Sequence, residues 1–324
     1  MDLLRTARYH DWLIISGSLV VLTVVTAAFH ASSLLSFAAF ADSGGPARWS
    51  GLPARLLIGS LLSLLVAVVS YRLRFLDSSG SVATFVLGVI IFGIGGWPFS
   101  APMLSFFFLS SVLSKVAERR RREISSLFEK SSRRDAGQVL ANGGIAAIAI
   151  LIWHVTGAPL WYMLFLGAVA AVTADTWATE VGILLGRNPR SVINWLPVPA
   201  GTSGGITVAG VAGSVAGAFM IAVAGWLVRM PGPAYSFGIK GIVCLTVSGV
   251  FAQVLDSVLG ATIQAQHVCP VCGRHTERRL HCGGVATRFH SGLRWVNNDV
   301  VNALCALGGV VIVFGVLRLV DGRI

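Results

Sequence analysis

Four carboxylates fall where an apolar chain makes them costly. Asp175 and Glu180 close one hydrophobic run in TADTWATE (173–180). Asp256 interrupts another in VLDSVLGATIQ (254–264), and Asp299 ends WVNND (295–299) just before a third. Asp77 is a fifth, at the edge of a span. A carboxylate at the centre of a bilayer costs about 2.5–3.5 kcal/mol or more, so it marks a functional site unless it is a hydrogen-bonded packing group. Asn297, Asn298 and Asn302 accompany these acids. Such oxygen ligands suit Mg²⁺, which takes one or two carboxylates plus water and substrate phosphates. They do not suit a soft transition metal.

A glycine-rich turn, VPAGTSGGIT (198–207), follows the first acidic pair. It is expected to open a helix, so unpaired N–H groups around Gly201, Thr202, Ser203 and Gly204 would form an anion nest. Arg187 and Arg190 precede it and could clamp a phosphate. No Lys follows the glycines, so this is not a Walker A loop. The G-x-S-x-G pattern at 201–205 needs a preceding strand and a soluble α/β sheet to be a hydrolase elbow, and neither is evident. A structural connector is the alternative. In the N-terminal half, SFFFLSSVLSKV (105–116) supplies Lys115, and RRDAGQVLANGG (133–144) supplies Arg134, Gln138 and Asn142. Lys115, Arg134 and Asn142 could reach phosphate oxygens. Alternatively, the cations meet lipid headgroups and the amides bridge helices.

A separate cluster lies in CPVCGRHTERRLHCGG (269–284). Cys269, Cys272, His281 and Cys282 would make a Cys₃His zinc site. His275 and His290 compete for the histidine position, and adjacent ligands such as His281 and Cys282 are unusual. Free thiols are one alternative. A disulfide is another, disfavoured in a reducing compartment. Cys244 and Cys305 lie in apolar runs and read as small fillers.

The elements that must carry these groups are membrane spans. Of 324 residues, 55% are hydrophobic and only 12% charged, against about 25% charged in an ordinary soluble domain. Disorder, coiled coil and collagen are thereby excluded. No charged residue occurs between Asp135 and Asp175, Arg190 and Arg229, Lys240 and Asp256, or Asp299 and Arg318. The apolar runs are continuous, which argues against a β-barrel. A span needs about 20 apolar residues. The chain therefore predicts an all-α, polytopic transmembrane helix bundle of about nine spans, within a range of roughly seven to ten. They are expected near residues 12–34, 53–71, 81–97, 102–117, 138–156, 160–180, 205–228, 238–262 and 300–318. Gly213 to Gly217 is a GxxxG element for close helix packing.

Placing the N-terminus in the cytoplasm puts 19 of the 25 basic residues inside; Arg48, Arg55, Arg229, Lys240, Arg318 and Arg323 fall outside. That obeys the positive-inside rule. It accounts for the net charge of +11 through topology and anionic headgroups, without nucleic acid. The basic segment 118–134 is read the same way. The first apolar run is too long for a usual signal peptide, despite the cleavage-like Ala39-Phe40-Ala41, and is read as a retained helix. Residues 1–52 then form an N-terminal span and outer loop. Residues 53–324 form a membrane catalytic core bearing the Cys/His segment 267–294. The expected location is a bacterial inner membrane or its equivalent, with the site on the cytoplasmic side.

Taken in order, FFLSSVLSK, GQVLANGG, TADTWATEVG, PAGTSGGIT, DSVLGATIQ, the Cys/His segment and WVNNDVVN resemble one family. It is the integral-membrane family of domain of unknown function 92, which includes the eukaryotic transmembrane protein 19 and the plant phytyl-phosphate kinase of vitamin E synthesis. The resemblance covers about residues 70 to 318; the first 50 residues match nothing. It implies a CTP-dependent, Mg²⁺-dependent kinase that converts an isoprenyl monophosphate to the diphosphate. Asp175, Glu180, Asp256 and Asp299 would be catalytic, with Mg²⁺ on Asp175, Glu180, Asp256, Asn298 and Asp299. Gly201, Thr202, Ser203, Gly204, Arg187, Lys115, Arg134 and Asn142 would bind phosphate. The Cys/His segment departs from the related dolichol and phytol kinases. Two further readings stay open. A transporter or flippase would also use a midmembrane Asp256 and glycine-interrupted helices. A nucleotidyltransferase on a lipid phosphate would release pyrophosphate instead of CDP.

Overall fold

The computed structural model describes residues 51–124, 133–230 and 235–321. Within them, eight helices are long and apolar enough to cross a membrane. The expected span at 12–34 lies outside the described residues, as does 125–132 of the basic segment. Helix α1 is Leu52–Arg72. Helix α2, Ser78–Gly88, continues into a π-helical segment, Val89–Gly95. Helix α3 is Trp97–Ile124, α4 is Ala136–Thr156 and α5 is Leu160–Leu185. Helix α6 is Val208–Leu227, α7 is Gly238–Thr262 and α8 is Asn298–Asp321.

The largest departure from the sequence expectation is α3. It starts five residues before the expected 102 because Pro98 sits in its first turn, where a proline is tolerated. Pro102 then lies inside the helix and cannot bond the Pro98 carbonyl. Tyr162 Oη lies 3.4 Å from that carbonyl and 2.8 Å from the Gly225 carbonyl.

Helix α5 is the axis of the bundle. It packs against α3, α4, α6, α7 and α8. Its alanine-rich middle leaves room for backbones to approach, and 166–174 is buried throughout. Gly210, Gly213 and Gly217 of α6 form the matching stripe. A Cβ at Gly213 would come within 2.7 Å of the Trp177 carbonyl, and one at Gly217 within 3.0 Å of the Thr173 carbonyl. The GxxxG element thus presses α6 onto the acidic end of α5. By contrast, α1 turns Leu57, Leu61 and Leu64 outward. Exposed apolar side chains on a helix of this length are what lipid contact demands.

The remaining chain forms short strands at one end of the bundle. Strands β1 (Arg190–Ser191) and β2 (Gly205–Ile206) pair antiparallel between α5 and α6. Between α7 and α8 come β3 (Gln266–Val268), β4 (His275–Thr276), β5 (Leu280–His281), β6 (Val285–Ala286) and β7 (Arg288–Ser291). They form a β4-β3-β7 sheet and a β5-β6 hairpin.

Candidate active site in the membrane-end cavity

A cavity of about 340 Å³ opens at the strand-bearing end of the bundle. Small-molecule sites run from about 300 to 1,000 Å³, so this one lies at the small end of that range. Its wall draws on α3, α4, α5, α6, α7 and α8.

Three of the four carboxylates, Asp175, Glu180 and Asp256, line this cavity. Asp175 and Asp256 face each other within hydrogen-bonding reach, although they are 81 positions apart. Asp256 Oδ2 is buried with no hydrogen-bond partner among the described residues. Two carboxylates this close repel unless a proton or cation lies between them. The donor set therefore fits a hard divalent cation. Glu180 is also in the wall, and its Oε1 accepts a 2.7 Å hydrogen bond from Ser114 Oγ of α3.

Asn298 and Asn302, one turn apart on α8, line the cavity as well. Asp299 does not line it. Its carboxylate lies against Gly137 and near Asp135, at the start of α4. A carboxylate at a helix N-terminus is favoured by the helix dipole. Lys115 and Arg187 also stay out of the wall; Lys115 is half-buried on α3, and Arg187 is exposed beyond α5.

Arg134 does reach the cavity. Its backbone is held by Phe75 and Asp77: Arg134 N donates to the Phe75 carbonyl at 2.9 Å, and Asp77 N donates to the Arg134 carbonyl at 3.1 Å. Its guanidinium is buried over the rings of Phe106 and Phe107, 5.4 and 5.7 Å from their centroids. Gln138 and Asn142 follow it along α4, one turn apart and both in the wall.

The glycine turn also lines the cavity, from Gly201 to Gly205. It differs from the expected nest in two ways. Strand β2 separates it from α6, which is capped by Thr207 Oγ1 accepting from Gly210 N. Two of its N–H groups are already used: Thr202 N donates to the Pro199 carbonyl and Gly205 N to the Thr202 carbonyl. Gly201 and Gly204 take left-handed φ values of 86° and 75°. A Cβ on Gly204 would meet Ala261 and the Ser257 carbonyl, so the turn lies flat on α7.

Helices α4, α6 and α8 all begin at this end. Asp135 and Gln138 form a reciprocal capping box on α4, and Asn297 Oδ1 accepts from Val300 N on α8. Three positive helix ends thus open on a cavity that also holds Arg134. That field attracts anions.

Sequence reasoning missed Ser114, Gln253, Ser257, Gln264 and Glu277 in the wall. Positions 253, 256, 257 and 260 share one face of α7, which periodicity alone would have found, and Gln264 lies just past the end of that helix. Gln253 Nε2 donates to Ser257 Oγ at 2.9 Å within that stripe. Glu277 carried no such signal, because it lies in the polar Cys/His segment.

A second cavity, apolar and about 60 Å³, lies between α1, α2, its π-helical extension, α3 and α4. Val66, Leu87, Phe92, Met103 and Phe106 line it. It shares Arg134, Gln138 and Asn142 with the polar cavity.

The ligand atoms of Cys269, Cys272, His281 and Cys282 lie within 4.8 Å of one another. His275 and His290 instead pack ring to ring, with centroids 4.7 Å apart. Burial opposes ionisation of Cys269, but N–H donation from Cys272 and Val271 and the nearby side chains of His281 and Cys272 outweigh it, bringing its pKa down to about 6. The neighbouring Cys272 sulfur, burial and Cys269 push Cys282 up to about 11.

The family described as "Integral membrane protein DUF92" matches residues 61–310. The chain belongs to this family. Protein PGR of Arabidopsis thaliana is 30% identical over 274 residues, which is 78% of this chain and 93% of that protein. An uncharacterized membrane protein of Methanocaldococcus jannaschii is 29% identical over 221 residues, 66% of this chain and 85% of the relative. Protein VTE6, chloroplastic, of Arabidopsis thaliana is 24% identical over 243 residues, 73% of this chain and 64% of the relative. No solved structure matches the chain. The protein is thus an integral, multi-pass member of a membrane family with chloroplast relatives.

Proposed function

We propose that the protein is a membrane-embedded kinase that transfers a phosphoryl group from CTP to an isoprenyl monophosphate, with Mg²⁺. One observation carries this reading. A polar cavity with three carboxylates and a buried arginine adjoins an apolar cavity between spans, and Arg134, Gln138 and Asn142 belong to both. That pairing suits a substrate with an anionic head and an insoluble tail. A freely soluble substrate has no use for the apolar chamber. The resemblance to a plant phytyl-phosphate kinase supports the same substrate class.

Phosphoryl transfer asks the protein mainly for positioning and charge compensation. Asp175 and Asp256 would hold the divalent cation, which when bound neutralises phosphate charge on the nucleotide. Arg134 would bind the acceptor phosphate where the two cavities join, and Gln138 and Asn142 would donate to its free oxygens. The Gly201–Gly204 turn would close over the nucleotide phosphates. An acceptor phosphate oxygen attacks the γ-phosphorus of CTP. The bond from that phosphorus to the β-phosphate oxygen breaks, and CDP leaves with its electron pair. The acceptor is already an anion, so no general base is needed. By the positive-inside rule this end of the bundle faces the cytoplasm, where CTP is available.

The test is purified protein in detergent with CTP, Mg²⁺ and geranylgeranyl phosphate. The kinase yields CDP and geranylgeranyl diphosphate. Pyrophosphate with a CDP-lipid would make it a nucleotidyltransferase. Uptake of the isoprenyl phosphate into sealed vesicles without CDP would make it a transporter.

A further inference from the structure

We infer that Cys269, Cys272, Cys282 and Nδ1 of His281 bind one Zn²⁺, and that this knot sets Glu277 in the wall of the polar cavity. The second half rests on reading that cavity as a cation and phosphate site; the first half does not.

The module between α7 and α8 has almost no apolar interior. From 266 to 291 the buried residues are Cys269, Thr276 and His281. Strands of two to four residues, in one three-stranded sheet and one hairpin with almost no buried apolar face, are marginal by themselves. Small units without a core need a staple, and a structural metal is one.

The local backbone serves four convergent ligands. Cys269 and Cys272 sit at the β3–β4 turn, where Gly273 N donates to the Cys269 carbonyl and Gly273 takes a φ of 69°. His281 and Cys282 lie at the β5–β6 turn. In an extended strand, neighbouring side chains point to opposite faces. Cys282 escapes that rule with a left-handed φ of 43°, followed by Gly283 and Gly284 at 78° and 94°. The turn brings its sulfur 3.1 Å from His281 Nδ1, and Cys272 Sγ lies 3.5 Å from the same nitrogen. Tetrahedral Zn²⁺ with its usual bond lengths spaces its ligands at about 3.5–3.8 Å. The unusual adjacency of His281 and Cys282 is therefore accommodated by one left-handed residue.

Glu277 sits where the two clipped hairpins join. Thr287 Oγ1 donates to the Arg278 carbonyl at 2.7 Å, and Arg278 N donates to Thr276 Oγ1 at 3.2 Å. The connectors on either side of the module are also tied to each other: Leu293 N donates to the Ile263 carbonyl, and Ala265 N to the Val296 carbonyl. Glu277 is thus held in the same cavity wall as Asp256 without belonging to any membrane helix.

The test uses the full chain purified in detergent without added metal. Elemental analysis should find about one zinc per chain, and Co²⁺ exchange should give thiolate-to-cobalt absorption. Cys269→Ser and His281→Ala should lose the metal. Glu277→Gln should keep the zinc yet weaken Mn²⁺ binding in the polar cavity roughly tenfold, read by electron paramagnetic resonance, as an outer carboxylate does. Cys269→Ser should weaken Mn²⁺ binding similarly. Zinc-free protein with free or disulfide-bonded thiols overturns the metal site. If the parent protein carries zinc and neither Glu277→Gln nor Cys269→Ser changes Mn²⁺ affinity, the link to the cavity is overturned. A failed kinase assay with zinc present leaves the metal site standing, so the two proposals fail separately.

Discussion

Asp175 of α5 and Asp256 of α7 meet across the centre of the bundle end, while Asp299 of α8 turns away to the start of α4. This division predicts unequal effects of the same substitution. Asp175→Asn and Asp256→Asn should each weaken Mn²⁺ binding at least about tenfold and abolish CDP release, because each removes a charge from the facing pair. Asp299→Asn should change cation affinity less than about threefold, since only helix-end electrostatics of about 0.3–1 kcal/mol are at stake. Mn²⁺ titration of the three variants decides this. Equal losses in all three would show that Asp299 reaches the cation after all.

The contrast also shows what the sequence can reveal here. Carboxylates inside uncharged runs stand out, so Asp175, Glu180 and Asp256 were legible by type and depth. Their convergence was not, since it depends on how α5 and α7 pack. Asp299 was misleading because it adjoins Asn298. Successive helix residues are rotated by about 100°, so Asn298 and Asn302 share a face and Asp299 does not. The spans were legible from the missing charges. Ser114 and Glu277 were not, because a serine in a span and a glutamate in a polar loop are both unremarkable. The helix stripe of Gln253 and Ser257 was readable but is easily missed beside the stronger signal of Asp256.

Ser114→Ala isolates the contact that orients Glu180. Glu180 Oε1 is buried against Ser114 Oγ, so the variant leaves a buried carboxylate short of one donor. The expected loss is about 1–3 kcal/mol of stability. Thermal unfolding in detergent should show a clear drop for Ser114→Ala and a smaller one for Ser114→Thr, which keeps the hydroxyl. No difference between the two variants would remove the hydrogen bond from the account.

The acid stability of the α2 start follows from Asp77. Its side chain accepts from Gly80 N at 2.8 Å, which holds its pKa below the ordinary value, with Ser79 and Arg133 adding to the effect. A depressed folded pKa means stability that is present above the unfolded value of about 3.9 and is lost as pH falls through the folded one. Between pH 5 and 7 this contribution should be flat. Asp77→Asn retains a capping oxygen, so it should match the parent at pH 7 and lose less on going to pH 3.5. Asp77→Ala should lose about 0.5–2 kcal/mol at pH 7. Unfolding curves at the two pH values separate the variants.

On the proposed reading, the apolar cavity receives the acceptor's tail. Met103 lines it and is almost fully buried, on α3 about three turns before Ser114 of the polar cavity. Met103→Trp replaces a flexible chain with a bulky rigid ring and shortens the space available to a tail. The polar end keeps Arg134, Gln138 and Asn142. With geranylgeranyl phosphate, KM should rise roughly tenfold, on the scale of the 1–3 kcal/mol that a misfitting methylene or two costs in such a pocket. With dimethylallyl phosphate, whose tail is far shorter, KM should change little, and kcat should hold for both. A uniform fall in kcat for long and short acceptors alike would mean that the ring disturbs α3 as a whole. The tail would then have to run elsewhere between the spans.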